Sequence, residues 1–123
     1  MERYFLVIGS ISAFFAVGLG AFGAHGLEGR LEPSDLQTFE VAVRYQMYHA
    51  LALLFLGLVL ERWPGSLGIW AGWTFVTGTL IFSGSLYTLV LTGMRGFGAV
   101  TPIGGLALLA GWVLSAVHFI RLR

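Results

Sequence analysis

The chain has 123 residues, 57% of them hydrophobic and 11% charged, with a formal net charge of +1 and no cysteine. A soluble domain is about one quarter charged, so a chain with a mean hydropathy of +0.84 lacks the polar surface that water demands. The near-neutral charge removes the electrostatic case for a nucleic-acid partner or a polybasic membrane anchor, and the missing cysteines exclude disulfides, thiolate metal sites and iron–sulfur clusters.

Three long runs carry no Asp, Glu, Lys or Arg: Tyr4 to Leu27, Trp63 to Met94, and Gly96 to Ile120. Each can cross about 30 Å of hydrocarbon as a helix, which takes roughly 20 residues. Only helices and closed barrels satisfy the backbone in lipid, and barrel strands would be about ten residues long with strict alternation. These runs are longer and do not alternate, so they predict helices.

The first predicted helix covers about Tyr4 to Ala24. Its apolar part exceeds the roughly 7–15 residues of a signal-peptide core, so it is expected to be a membrane span. Ala13, Ala16, Gly20 and Gly23 form a stripe of small residues on it, which permits close backbone approach. His25 follows at the helix end, where the dipole favours a histidine.

The second predicted helix covers about Asp35 to Leu60. Ser34 followed by Gln37 has the pattern of a capping box. Leu36, Phe39, Val43 and Met47 then recur at helical spacing. The uncharged part, Tyr45 to Leu60, is roughly 16 residues and spans only about 24 Å, so the crossing helix must include Arg44. The Arg44 stem can snorkel and pair with Glu40 one turn earlier. His49 lies more than a turn deeper, with Tyr45 and Gln46 one turn before it. The Trp63-Pro64-Gly65 turn ends this helix, with Trp63 as an interface anchor.

The third predicted helix covers about Ser66 to Thr92. Thr79, Ser83 and Tyr87 share one face; Ser85, Thr88 and Thr92 share the opposite one. Such hydroxyls commonly bond their own backbone one turn earlier. The fourth covers about Val100 to Ile120, with Pro102 in its first turn, where the missing N–H costs little. Ala107, Gly111 and Ser115 make a second small-residue stripe, and His118 sits near the end beside Arg121 as an interfacial residue.

The expected fold is therefore an all-α membrane protein, a single domain spanning 1–123, built as an antiparallel four-transmembrane-helix bundle with both termini on one side. That side holds Arg3, Arg62, Arg121 and Arg123, against Arg30, Arg44 and Arg95 on the other, which also carries Glu28, Glu32, Asp35 and Glu40. The positive-inside rule then places the termini in the cytoplasm. Four against three is also the small margin of proteins that insert in both orientations. The expected partners are the lipid bilayer and, through the Gly/Ala-rich faces, a second copy of the chain. No cofactor, metal or nucleic acid is expected.

On this topology Gly23–Gly26, Arg44–His49, Ser83–Tyr87 and Thr101–Gly105 all fall in the non-cytoplasmic half. An ionisable group in hydrocarbon is costly and so marks function. The candidate ligand-binding cluster is His25, Arg44, Tyr45, His49, Ser83 and Tyr87, with Arg44 at the rim because it points about 140° away from His49.

Those four segments, Gly20-Ala21-Phe22-Gly23-Ala24-His25-Gly26-Leu27, Arg44-Tyr45-Gln46-Met47-Tyr48-His49-Ala50-Leu51, Phe82-Ser83-Gly84-Ser85-Leu86-Tyr87 and Thr101-Pro102-Ile103-Gly104-Gly105, resemble the small bacterial inner-membrane proteins of YgdD type, domain-of-unknown-function family 423. The resemblance implies a four-helix bacterial inner-membrane protein and brings no activity, substrate or cofactor with it. The residues point first to a protein that binds or passes a small solute, ion or lipid through a polar half-pocket, and second to a structural or accessory subunit. Two further chemistries have partial support. Haem could take His25 and His49 as axial ligands. A hydrolase could use Ser83 or Ser85 with His49, although no G-x-S-x-G elbow is present and no acid lies in the spans to orient the histidine.

Overall fold

The computed structural model describes residues 2–122; Arg123, counted above in the charge asymmetry, lies outside them. The four helices are α1 (Glu2–His25), α2 (Pro33–Arg62), α3 (Ser66–Thr92) and α4 (Thr101–Ile120), with a 3-10 turn at Arg95–Ala99 before α4. All four are long and apolar enough to cross a membrane. The protein is an all-α membrane protein built as an antiparallel four-helix bundle.

Local chemistry sets the helix ends. The expected capping box at Ser34 does not form. Pro33 takes the first helical position, so α2 starts earlier, with Glu32 as an N-cap that makes no side-chain bond. A proline is pre-set for that position because its φ is already helical and its missing N–H would have no partner there. Leu36 N–H donates to the Glu32 carbonyl, and Ser34 only accepts, at its carbonyl, from the Thr38 hydroxyl. At the end of α3, Gly93 adopts φ 73° and donates its N–H to Leu89 O, the left-handed stop that glycine adopts without a Cβ clash.

The helices lie in chain order. α1 packs chiefly on α2, α2 on α3, and α3 on α4, while α1 and α4 do not pack together and neither do the backbones of α2 and α4. Thus α2 and α3 form the centre, and a seam is left between α2 and α4. Lipid tails are as apolar as leucine, so helix association in a bilayer relies on close packing and on hydrogen bonds. Both are present. Small residues of the two stripes work inside the chain: Ala16 is buried, Gly23 packs on Phe39, and Gly111 receives the Phe75 ring. Along α3 and α4, Gly68 meets His118, Gly78 meets Leu108, and Gly104 meets the backbone of Phe82.

Two apolar clusters hold the ends of the bundle. One contains Phe5, Leu53, Leu56, Leu60, Ala71, Phe75 and Leu108. The other contains Leu27, Phe39, Leu89 and Val90. The buried polar residues Gln46, His49 and Ser83 fall between them along α2 and α3. Outside the membrane-spanning segments, Arg95 grips Asp35 through two nearly parallel bonds of 3.0 and 3.3 Å, tying the α3–α4 connection to the start of α2.

Candidate functional site

The polar layer divides into two parts on different sides of α2. On the side facing α1 and α3, Gln46 links three helices. Its Nε2 donates to Ser12 O of α1 at 2.9 Å, and its Oε1 accepts from the Tyr87 hydroxyl of α3 at 2.6 Å. Ser83 donates to Ala42 O of α2 at 2.7 Å, so this serine bonds across the helix interface rather than to its own turn. Ser85, on the opposite face of α3, pairs with Thr101 of α4 at 2.6 Å. A polar group buried in hydrocarbon costs free energy unless bonded, and here these side chains satisfy one another or a neighbouring carbonyl.

On the side facing α4, His49 is 4% exposed. Trp112 Nε1–H donates to its Nε2 at 3.0 Å. An indole nitrogen can only donate, so Nε2 is the acceptor and the ring proton sits on Nδ1. That Nδ1–H donates to the Tyr45 carbonyl at 2.7 Å. Both ring nitrogens are therefore engaged and the imidazole is neutral in this arrangement. Its ring lies 5.4 Å from Phe75 and 5.8 Å from Trp112, centroid to centroid.

Beside this pair lies a cleft of about 530 Å³, lined by Tyr45, His49, Phe82 and Trp112 and by Pro102, Gly105, Leu106, Leu108 and Leu109 of α4. It occupies the seam between α2 and α4. Leu106 and Leu109 are 67% and 64% exposed, so the cleft opens sideways toward lipid. None of its lining residues is charged. A smaller cleft of about 330 Å³ runs between α1, α2 and α3, lined by Ile8, Ser12, Phe15, Gln46 and Thr79 among others. Thr79 Oγ1 is the only buried side-chain oxygen or nitrogen among the described residues without a hydrogen-bond partner.

The six residues of the sequence-derived cluster are placed as follows. Tyr45 and His49 stand together at the α2–α4 cleft. Ser83 and Tyr87 lie on the side facing α1 and α2, joined to Tyr45 and His49 only through the α2 backbone and Gln46. Arg44 is exposed and pairs with Glu40 at 3.7 Å. It lines a separate shallow pocket with Gly20, Gly23 and Phe39. His25 is exposed at the end of α1, so the two histidines considered as haem ligands are not brought together. His49 is not hydrogen-bonded to Ser83 or to Ser85, whose hydroxyls bond Ala42 O and Thr101 respectively.

Two residues outside that set hold the site. Gln46 joins three helices, and Trp112 fixes His49. Trp112 carries a signal in the sequence: membrane tryptophans concentrate at the interfaces, and this one is mid-span, where its N–H requires a partner. His118, expected at the interface, is 5% exposed, and its Nε2–H donates to Trp63 O at 3.1 Å.

The Thr79 hydroxyl yields a direct prediction. Thr79→Val replaces an unsatisfied hydroxyl by a methyl of the same shape and should stabilise the fold by about 1 kcal/mol. Thr79→Ser should give no gain. A lower melting temperature for Thr79→Val in detergent would show that the hydroxyl has a partner.

The family described as "Protein of unknown function (DUF423)" matches residues 19–105, a stretch that contains all four segments quoted above. A UPF0382 membrane protein of Staphylococcus haemolyticus is 47% identical over 118 residues, covering 94% of this chain and 93% of the relative. A UPF0382 membrane protein of Staphylococcus epidermidis is 47% identical over 122 residues, 97% of each chain. The UPF0382 membrane protein YwdK of Bacillus subtilis is 42% identical over 120 residues, 97% of this chain and 98% of the relative. No solved structure matches the chain.

Proposed function

The chain belongs to the DUF423 family, and from that premise we propose that this multi-pass membrane protein holds a membrane-dissolved, lipid-like molecule in the cleft between α2 and α4. The observation that carries this reading is the cleft itself. It is apolar and uncharged, it opens sideways, and two helices whose backbones do not pack on each other bound it. Ligand pockets are usually apolar concavities of about 300–1,000 Å³ with a few placed polar groups. A path for an ion or a polar solute has less support, because the buried polar side chains bond to one another and Arg44 lies outside the cleft.

A photo-crosslinking side chain at Leu109, on the rim of the cleft, tests the reading. It should capture one lipid species enriched over the bulk membrane, and the same side chain at Leu91, an exposed residue of α3, should not. Gly105→Leu, which fills the cleft, should abolish the enrichment. Capture in bulk proportion at both positions would remove the proposal. The structural or accessory reading would then lead, supported by the near-complete internal bonding of the polar layer.

We further place the protein in the bacterial inner membrane with both termini in the cytoplasm, on the arginine asymmetry. A reporter fused after Arg123 should be active only in its cytoplasmic form. Equal activity of cytoplasmic and periplasmic reporters would mean dual insertion.

A further inference from the structure

We infer that the molecule held in the α2–α4 cleft has an uncharged, flat head bearing carbonyl acceptors on an apolar tail, the chemical class of the prenyl quinones; this rests on the cleft-binding reading above.

The first support is charge. No residue lining the cleft is charged. A phosphate or ammonium head drawn into hydrocarbon needs a counter-charge, and Arg44, the residue before Tyr45, is exposed and already paired with Glu40. The second is shape. Tyr45 and Phe82 lie 4.7 Å apart, His49 and Trp112 5.8 Å, and Phe75 and Trp112 4.9 Å, centroid to centroid. Tyr45 with Phe82 and His49 with Trp112 line the cleft as two aromatic pairs, and aromatic faces favour a stacked planar ring. The third is hydrogen-bonding capacity. The Trp112 and His49 donors are consumed by His49 Nε2 and the Tyr45 carbonyl. The Tyr45 hydroxyl is not hydrogen-bonded within the described residues, so it is the side-chain donor left in the lining for a ligand carbonyl. Leu106, Leu108 and Leu109 supply the apolar wall for a tail.

The test uses the full chain in phosphatidylglycerol vesicles, with geranyl-1,4-benzoquinone as probe. A quinone quenches indole fluorescence on contact. Trp112 lines the cleft, whereas Trp63, Trp70 and Trp73 do not. Quenching should saturate, and geranyl phosphate, the same tail with a charged head, should not compete. Tyr45→Phe keeps the ring and should weaken binding roughly three- to tenfold, the loss of one neutral hydrogen bond. Gly105→Leu should abolish the saturable phase. A Cβ at Gly105 makes only ordinary contact, 3.8 Å from Phe82 Cδ2, so the added chain enters the cleft rather than wedging α4 from α3. Leu109→Phe, which adds no indole, offers a second way to fill the cleft should Gly105→Leu unfold. Equal competition by geranyl phosphate, or unchanged affinity in Tyr45→Phe, overturns the inference and leaves cleft binding intact. Quenching that never saturates, and is unaltered by either filling variant, overturns both.

Discussion

Gly104→Ala should destabilise the protein by about 3 kcal/mol, toward the upper end of the usual cost of overpacking. The reason is geometric. A Cβ at Gly104 would meet the Phe82 amide nitrogen and would lie 2.8 Å from Phe82 Cα and 2.9 Å from its Cβ. Those atoms belong to the helix itself, so no side-chain rotation relieves the contact and α3 and α4 must separate. The same separation would pull Ser85 from Thr101, now 2.6 Å apart. Gly84→Ala is the control, because nothing lies within 4 Å of its Cβ position. There the better helix propensity of alanine should leave stability unchanged or raise it by up to about 1 kcal/mol. Unfolding in mixed micelles with increasing dodecyl sulfate measures both variants. Equal stability of Gly104→Ala and the parent would refute the close approach of α3 and α4.

Gln46→Leu is expected to cost about 2 kcal/mol, since it cuts the bond to Ser12 O and leaves the Tyr87 hydroxyl unsatisfied in the interior. Tyr87→Phe alone should cost less, because the Gln46 amide keeps its bond to α1. The double variant should be more stable than the sum of the two single losses predicts. A coupling of about 0.6–1.7 kcal/mol is the range for interhelical bonds in membranes, and a double-mutant cycle isolates it. A coupling of zero would mean that the 2.6 Å Tyr87–Gln46 bond contributes nothing to the fold.

Much of the fold was legible in the sequence. The long uncharged runs required helices, because lipid offers no other partner to the backbone. The Trp63-Pro64-Gly65 turn marked the end of α2, and Pro102 marked the start of α4. The start of α2 was misread because Ser34 has capping chemistry, whereas the fixed φ of Pro33 begins the helix two residues earlier, with Glu32 as N-cap. The depth of the polar residues was also legible, since depth follows from residue count along a helix. Their facing was not. Tyr45, Gln46 and His49 lie within about one turn, yet Gln46 reaches α1 and α3 while Tyr45 and His49 line the seam with α4.

The sequence by itself determined a four-helix membrane protein, its antiparallel order and the layer at which its polar groups sit, because hydrocarbon thickness and backbone satisfaction act on each segment separately. Only the tertiary structure decided which helices touch and which polar groups meet. Those outcomes depend on the rotation of each helix about its axis, set by glycine contacts such as Gly104 on Phe82 and by bonds such as Trp112 to His49. Partners more than 60 residues apart in the chain, as His49 and Trp112 are, leave no local periodic signal. The α2–α4 cleft arises from the same cause: close glycine packing draws α4 onto α3, and α2 is left with only side chains to bridge the gap.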